Sequence, residues 1–187
     1  MKQWIAILAV LGLSFSALAF EVDQKASVFK WTGKKVTGQH YGKLPIQSSK
    51  VDVKNGQVVG GEFVLDITKM TVDDLKGEMQ KKFLGHMKSK DFFEVSRWPT
   101  AKLVVEKLDG KKAIGKLTIK GKTKKVEFSY LKKGNLFSGT LKFDRTQFDM
   151  IYGSGNFFKN LGDKMIYNDV TVDFKVQLSK KKKLAQK

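Results

Sequence analysis

The chain has 187 residues, a formal net charge of +18 and no cysteine. Without cysteine there are no disulfides, thiol catalysis or Cys-ligated metal sites, so a body of ordinary domain size must be held by its apolar core. Only Arg97 and Arg145 are arginines, so 34 of the 36 basic residues are lysines, which indicates a diffusely cationic surface and argues against a nucleic-acid site.

The first nineteen residues have the pattern of a cleavable export signal. Lys2 precedes an apolar run from Ile5 to Phe15, and Ala17-Leu18-Ala19 offers small residues where signal peptidase cuts. The run is too short for a membrane span. We therefore predict cleavage after Ala19, a mature chain with a net charge of +17 and a periplasmic location. A retained N-terminal anchor is the alternative.

Short alternating segments joined by turn residues dominate the mature chain. Ser27 to Thr32 alternates between apolar and polar residues, as a half-buried strand does. Asn55-Gly56 and Asp109-Gly110 are signals for type I′ hairpins, and Gly60-Gly61 predicts a bulge. Further strands are predicted over 36–41, 50–54, 57–66, 100–108, 113–120, 124–130, 136–144 and 170–178.

One interior segment has a helical pattern. Thr71 to Asp74 resembles a capping box, and apolar residues recur every four positions at Leu75, Met79, Phe83 and Met87. We predict an amphipathic helix over about 72–85, ended by Gly85. The fold class is then mainly β: an eight- to nine-stranded antiparallel barrel with one inserted helix. Lysines on the polar face of nearly every strand argue against a membrane-embedded barrel.

Candidate catalytic groups are few. His40 and His86 are the only histidines, and they have neither the spacing of a ligand pair nor a third ligand. Nucleophile and phosphate-loop motifs do not occur. Asp144-Arg145 is interpreted as a structural ion pair. We predict no catalytic residue and no metal site, with an enzyme acting through His86 or Asp144 as the alternative.

The aromatic side chains are more informative. Those on alternating strands fall on the face expected to point inward: Phe29, Trp31, Phe63, Phe128, Phe143 and Phe174. An eight-stranded barrel can be filled by such side chains or can hold one slim ligand. From periodicity alone, core filling is the favoured interpretation.

Several motifs, in order along the chain, resemble those of the YceI-like family. They are Asp23, Ser27 and Trp31; His40-x-Gly42; Gly61-x-Phe63 with Asp66; His86-Met87-Lys88-Ser89-x-Asp91-Phe92-Phe93; Trp98-Pro99-x-Ala101; Gly115-x-Leu117-Thr118-Ile119-x-Gly121-x-Thr123-Lys124; and Asp144-Arg145-Thr146-x-Phe148 with Tyr152-Gly153. The chain departs from the family pattern at 149–153 and in the aromatic run 157–161.

The resemblance implies an exported, lipocalin-like, non-catalytic barrel over residues 20–179, followed by a basic tail at 180–187. The implied ligand is a polyisoprenoid or isoprenoid quinone, with a fatty acid or fatty amide as the alternative, and no other cofactor. Lumen-lining residues are then expected to be Phe29, Trp31, Phe63, Phe83, Phe92, Phe93, Phe128, Phe143 and Phe148. His86, Asp144 and Arg145 are expected to be polar groups at the mouth or structural.

The segment from Phe83 to Phe93 is interpreted as a lid over the barrel. Phe92 and Phe93 are expected to reach toward the bound chain, and His86 to brace the turn. Besides the lipid partner, loose contact with anionic membranes through the lysines, including the tail, and a homodimer are left open. No nucleic-acid partner is expected.

Overall fold

The computed structural model describes residues 19–180. The predicted export signal, apart from Ala19, and the predicted basic tail beyond Lys180 lie outside the described residues. The strands are β1 Phe20–Val22, β2 Val28–Lys35, β3 Gly38–Lys43, β4 Ile46–Lys54, β5 Gln57–Asp66, β6 Thr100–Asp109, β7 Lys112–Ile119, β8 Lys122–Lys133, β9 Leu136–Asp144 and β10 Ile166–Lys180, with one α-helix, α1, at Gly77–Lys88.

The strands form one antiparallel sheet that curls into a half-barrel. The hydrogen-bonded order is β3-β2-β10-β9-β8-β7-β6-β5-β4, and β1 pairs with the last residues of β10. Strand β8 changes partner along its length, because residues 122–129 pair with β7 and residues 130–133 pair with β9. The predicted class, mainly β with one inserted helix, is confirmed; the count is ten because the short β1 was not predicted.

Period-two alternation places one face of each strand inside. On β10, Val172, Phe174, Val176 and Leu178 are all buried, while Lys175 between them is exposed. Each inward side chain is stabilised by removal from water, worth about 1.5–3 kcal/mol for a large apolar residue. The core therefore lies along the concave face of the sheet.

Local turn chemistry fixes the hairpins. Asn55 and Gly56 both have positive φ (52° and 73°), which confirms the type I′ turn. The predicted type I′ turn at Asp109-Gly110 is wrong, because Asp109 still pairs with Lys112. The loop is therefore Gly110-Lys111, with positive φ at Gly110 alone, as in a type II′ turn.

The predicted bulge on β5 is confirmed by a register shift opposite Asp52 and Val53. Gly60 and Gly61 are needed beside it because the sheet packs closely there. A Cβ on Gly60 would lie 2.3 Å from the carbonyl oxygen of Val105, and one on Gly61 would lie 2.5 Å from that of Lys50.

The predicted helix bounds are wrong at both ends. Residues 71–74 do not cap a helix but run along the free edge of β3, where the Thr71 amide donates to the carbonyl of Lys43 (3.0 Å) and that of Asp73 donates to Tyr41 (2.8 Å). A strand edge with free carbonyls competes successfully for these amides. Helix α1 therefore starts at Gly77 and continues through Gly85 to Lys88, where the Ser89 hydroxyl donates to the carbonyl of His86 (2.8 Å).

Within residues 19–180, no helix combines the length and apolar character needed to span a bilayer.

Candidate functional site

The inside of the half-barrel is not filled by its own side chains. Between the concave face and α1 lies a cavity of about 1150 Å³, including the part that opens to solvent. Its wall is aromatic and aliphatic, and includes Phe29, Trp31, Leu44, Leu65, Met70, Phe83, Met87, Phe92, Phe93, Leu103, Leu117, Phe143, Met150, Val172 and Phe174. We call this space the upper chamber.

A second apolar space, the lower chamber, continues toward the opposite end of the sheet. It has a volume of about 580 Å³, including the part that opens to solvent, and is lined by side chains that include Phe63, Val105, Phe128, Phe137 and Val176. Phe29, Leu103 and Phe174 line both chambers and form a waist between them. The ring centroids of Phe29 and Phe174 lie 6.2 Å apart. Because they share these residues, the two chambers adjoin end to end, and we call them together the apolar path.

Polar side chains line the upper chamber only toward its mouth. They are Lys34 and Lys35 at the end of β2, His40 in β3, Arg145 directly after β9 and Tyr167 at the start of β10. The indole nitrogen of Trp31 also faces this region, but it donates to the carbonyl of Thr71 (3.0 Å). A ligand in this path meets apolar surface along its length and hydrogen-bonding groups at one end.

Arg145 is buried, with 2% of its surface exposed. Its guanidinium donates to the backbone carbonyls of Met150, Ile166 (3.1 Å) and Tyr167 (3.1 Å). Burial lowers the pKa of Arg145, and the nearby charge of Asp144 opposes that shift. A guanidinium carries five N–H groups, so these three carbonyls do not use all of its donors, and Arg145 is one of the residues that line the upper chamber.

The predicted ion pair between Asp144 and Arg145 does not form in the described structure. The Asp144 carboxylate instead accepts from the amide (2.8 Å) and hydroxyl (2.7 Å) of Thr146 and caps the 3-10 helix Arg145–Phe148. Arg145 is thus a buried cation held by carbonyl dipoles, without a carboxylate partner among residues 19–180.

Helix α1 covers the upper chamber. The ring of Phe83 stacks on Trp31 (centroids 6.1 Å apart, planes 4° apart) and lies 4.6 Å from the ring of His40. No residue of α1 is buried; Phe83, Leu84 and Met87 are half-buried against the core. These few contacts attach the helix to the half-barrel.

His40 is held by a carboxylate on the segment that leads into α1. Its Nδ1 lies 2.7 Å from Oδ2 of Asp74, whose Oδ1 accepts from the amide of Tyr41 (3.0 Å). Burial acts to raise the pKa of Asp74, but the hydrogen bonds from Tyr41 and His40 outweigh it, so the pKa lies below the ordinary 3.8. An ionised Asp74 therefore ties the base of α1 to β3.

The other histidine braces the end of the helix. Nε2 of His86 lies 3.1 Å from Asp91, and its ring makes edge contacts with Phe92 (5.1 Å) and Tyr152 (4.6 Å). His86 does not line either chamber, whereas Phe92 lines the upper one and is 7% exposed. This geometry suits a bracing role for His86.

Eight of the nine aromatic residues expected to line the lumen line one chamber or both. Phe148 does not: it is 1% exposed and packs edge-on behind Phe143, with centroids 5.6 Å apart. Asp144 also lies outside both chambers.

Sequence reasoning did not assign Leu103, Leu117 and Leu141 to the lining, although strand alternation could have found them. Tertiary contacts alone bring the remaining polar groups to the mouth, and no local sequence pattern predicts such contacts. These groups are Lys34, Lys35, Tyr167 and the His40–Asp74 pair. Among residues 19–180, no three His, Asp or Glu residues group as metal ligands would.

Comparisons with known proteins agree with this architecture. A family model described as a YceI-like domain matches residues 20–178. A sequence search among curated proteins found no match.

Three solved structures share the fold. Burkholderia cenocepacia BcnA is 22% identical over 85% of this chain and 99% of its own, with a TM-score of 0.64. A polyisoprenoid binding domain from Saccharophagus degradans, implicated in plant cell wall breakdown, is 14% identical over 88% and 99%, also with a TM-score of 0.64. The YCEI protein of Campylobacter jejuni is 15% identical over 98% and 100%, with a TM-score of 0.51.

Proposed function

The chain belongs to the YceI-like domain family, and from this premise we propose that it binds and carries a long-chain isoprenoid lipid, of the polyisoprenoid or isoprenoid-quinone type, inside the half-barrel. A relative of the same fold is a polyisoprenoid binding domain, which makes this ligand class the natural first candidate.

The observation that carries the proposal is the apolar path. An isoprenoid tail presents only apolar surface, so each Å² removed from water contributes about 25 cal/mol. The upper and lower chambers, joined at the waist of Phe29, Leu103 and Phe174, offer such surface with polar groups confined to the mouth. Aromatic and aliphatic walls with few convergent polar groups are typical of small-molecule sites.

The buried guanidinium of Arg145 is the proposed binding site for the head group of the lipid. Because its partners are backbone carbonyls, its charge is free to attract an oxygen acceptor such as a quinone carbonyl or a phosphate. The same feature favours a second candidate, a fatty acid or fatty amide, whose carboxylate or carbonyl would also pair with Arg145. The proposal includes no catalytic step.

The test is the identity of co-purified lipid. Native mass spectrometry and organic extraction of protein from its own host are expected to yield an isoprenoid lipid at near-stoichiometric amounts. Recovery of fatty acids instead would favour the second candidate, and recovery of no lipid would contradict both.

A cavity-filling variant tests where the lipid lies. Ala101 faces the upper chamber on β6, and Val104 on the same strand faces outward. Ala101→Phe should reduce lipid affinity roughly tenfold, about 1.4 kcal/mol, because the added ring occupies space that the lipid would fill. Val104→Phe is the matched control and should keep wild-type loading. Equal lipid loading in both variants, with unchanged circular dichroism, would place the ligand elsewhere.

We also propose a periplasmic location, on the strength of the export-signal pattern ending at Ala19. Cell fractionation with N-terminal sequencing tests this. A chain that begins at Phe20 in the periplasmic fraction is expected; retention of Met1 in the cytoplasm would contradict it.

A further inference from the structure

The rim of the upper chamber exposes large apolar side chains. Phe157 and Phe158 are 56% and 44% exposed, and Tyr152 and Tyr167 are 44% and 47% exposed. We call these four residues the rim patch. Scattered exposed apolar residues need no explanation, but four exposed aromatic side chains within sixteen consecutive residues, one of which lines the chamber, form a local feature that does.

Backbone hydrogen bonds locate the rim patch beside the mouth. The Ile166 amide donates to the carbonyl of Gly153 (2.8 Å), and the Val36 amide, in the β2–β3 turn, donates to that of Met165 (3.1 Å). The Tyr152 ring touches His86 at the end of α1, and Tyr167 itself lines the chamber. The segment 150–165 thus bridges from the lid to the turn on the other side of the opening.

The two phenylalanines are presented by an ordered turn. The amides of Phe157 and Phe158 both donate to the carbonyl of Ser154 at 3.0 Å. Ser154 is fully buried, and its hydroxyl lies 2.7 Å from Oδ1 of Asn168 on β10. The rings are therefore held outward from an anchored base, although burying them would be favourable by itself.

The charged residues near the rim patch indicate what kind of partner it binds. Lys159 follows the two rings directly, Lys164 ends the same segment, and Lys34 and Lys35 line the mouth. The whole chain carries a net charge of +18. Lysine next to exposed aromatic rings suits an anionic lipid surface, because the ammonium groups meet head groups while the rings enter the interface.

We propose that the rim patch docks the protein on an anionic bilayer, with Phe157 and Phe158 inserted at the head-group level and the mouth of the upper chamber facing the membrane. The surface lysines attract the protein to the anionic bilayer, and the rim patch sets its orientation on the bilayer. A lipid tail then passes between membrane and chamber without crossing water. The passage of a lipid tail rests on the proposed function, whereas the docking on the bilayer does not.

The test compares two exposed apolar sites beside lysines. The double variant Phe157→Ser/Phe158→Ser removes the rings at the mouth. Leu131→Ser is the matched control, because Leu131 is 67% exposed and precedes Lys132 and Lys133. It lies on β8 opposite Ser138, near the start of β9, whereas the mouth lies beyond the end of β9. Full chains are sedimented with phosphatidylcholine vesicles with and without phosphatidylglycerol, at low and high salt.

We expect binding only to the anionic vesicles, weakened by salt, and lowered at least about tenfold in the double variant but unchanged in Leu131→Ser. Equal binding by the double variant and the wild type would overturn the proposal. So would loss of binding on truncation of residues 181–187 alone, which would assign the contact to the tail. A wild-type dimer that dissociates in the double variant, seen by sedimentation velocity, would also overturn it.

Lipid content is measured on the same samples. If the protein carries lipid but the wild type and the double variant bind vesicles equally, the docking proposal is contradicted and the proposed cargo is not. Lipid-free protein that still docks through the rim patch contradicts the proposed cargo and leaves the docking intact.

Discussion

The concave face of the sheet and helix α1 both border the upper chamber, but they are held in place by different means. Neighbouring strands are hydrogen-bonded along the sheet, and its inward side chains are buried. Helix α1 has no buried residue and depends on Phe83, Leu84 and Met87 for its packing. Regions with few buried contacts open locally at a small fraction of the global free energy of unfolding. We therefore expect helix α1, which we call the lid from here on, to open while the sheet, which we call the wall, stays folded.

The largest expected effect comes from breaking the wall. Phe174→Ala removes a ring that contacts both Phe29 and Phe128 at the waist. We expect the free energy of unfolding to fall by about 3–5 kcal/mol, measured by denaturant titration of delipidated protein. Lys175→Ala, at the next and exposed position, should change it by less than about 0.5 kcal/mol. Similar losses in the two variants would contradict the assignment of the core to the concave face.

Breaking the lid should instead affect local opening. Phe83→Ala removes the stack on Trp31 and the contact with His40. Aromatic pairs of this kind contribute about 0.5–1.5 kcal/mol, so the amides of α1 should exchange with solvent up to roughly tenfold faster. Global stability should change little, and bound lipid should dissociate faster.

Met79→Ala provides the control for the lid variant. Met79 lies one turn earlier on the same helical face but is 67% exposed. Its substitution should leave both amide exchange and lipid release unchanged. Equal acceleration in the two variants would contradict the role of the aromatic stack, because both changes to alanine raise helix propensity.

Acid should loosen the lid before the wall. The pKa of Asp74 is lower in the folded protein than its ordinary 3.8, so ionised Asp74 stabilises the fold above about pH 4 and this contribution is lost as the pH falls through the lowered value. Amide protection in α1 should be constant from neutrality to about pH 5 and then fall. Asp74→Asn, which keeps the shape of the side chain, should lack this part of the fall. Parallel profiles would contradict the role of Asp74.

Two glycines of α1 should give effects of opposite sign. A Cβ would meet no atom within 4 Å at either Gly77 or Gly85, but Gly77 has a φ of +59°. Gly85→Ala should stabilise the lid by about 0.5–1 kcal/mol, and Gly77→Ala should destabilise it by about 1–2 kcal/mol. Amide exchange in α1 measures both. Equal signs would show that backbone conformation does not set the lid's stability.

Features that depend on residues close together in the sequence were predicted correctly, and features that depend on distant residues were not. The inward face of β10 was predictable because alternation is a property of neighbouring residues, and the Asn55-Gly56 turn needs only two residues. The start of α1 was wrong because residues 71–74 pair with β3, about thirty residues earlier in the chain. No local sequence pattern predicts this pairing with β3.

The same reasoning applies to the cavity. Phe29, Trp31 and Phe63 were placed on the inner face by periodicity, and they line the chambers. Arg145 was assigned the wrong partner because its three carbonyl acceptors come from residues 150, 166 and 167. Phe148 follows a strand whose alternation has already ended, so its direction was set by the 3-10 helix and not by the sheet.

The waist formed by Phe29, Leu103 and Phe174 has a consequence for how long a ligand stays. A short tail that ends in the upper chamber can leave sideways as soon as the lid swings away. In the proposed complex, a tail long enough to reach the lower chamber would have to slide back past these rings before it could leave. For the proposed lipid, residence time should then increase in a step, not smoothly, once the tail is long enough to pass these rings, so that tail length sets the rate of release.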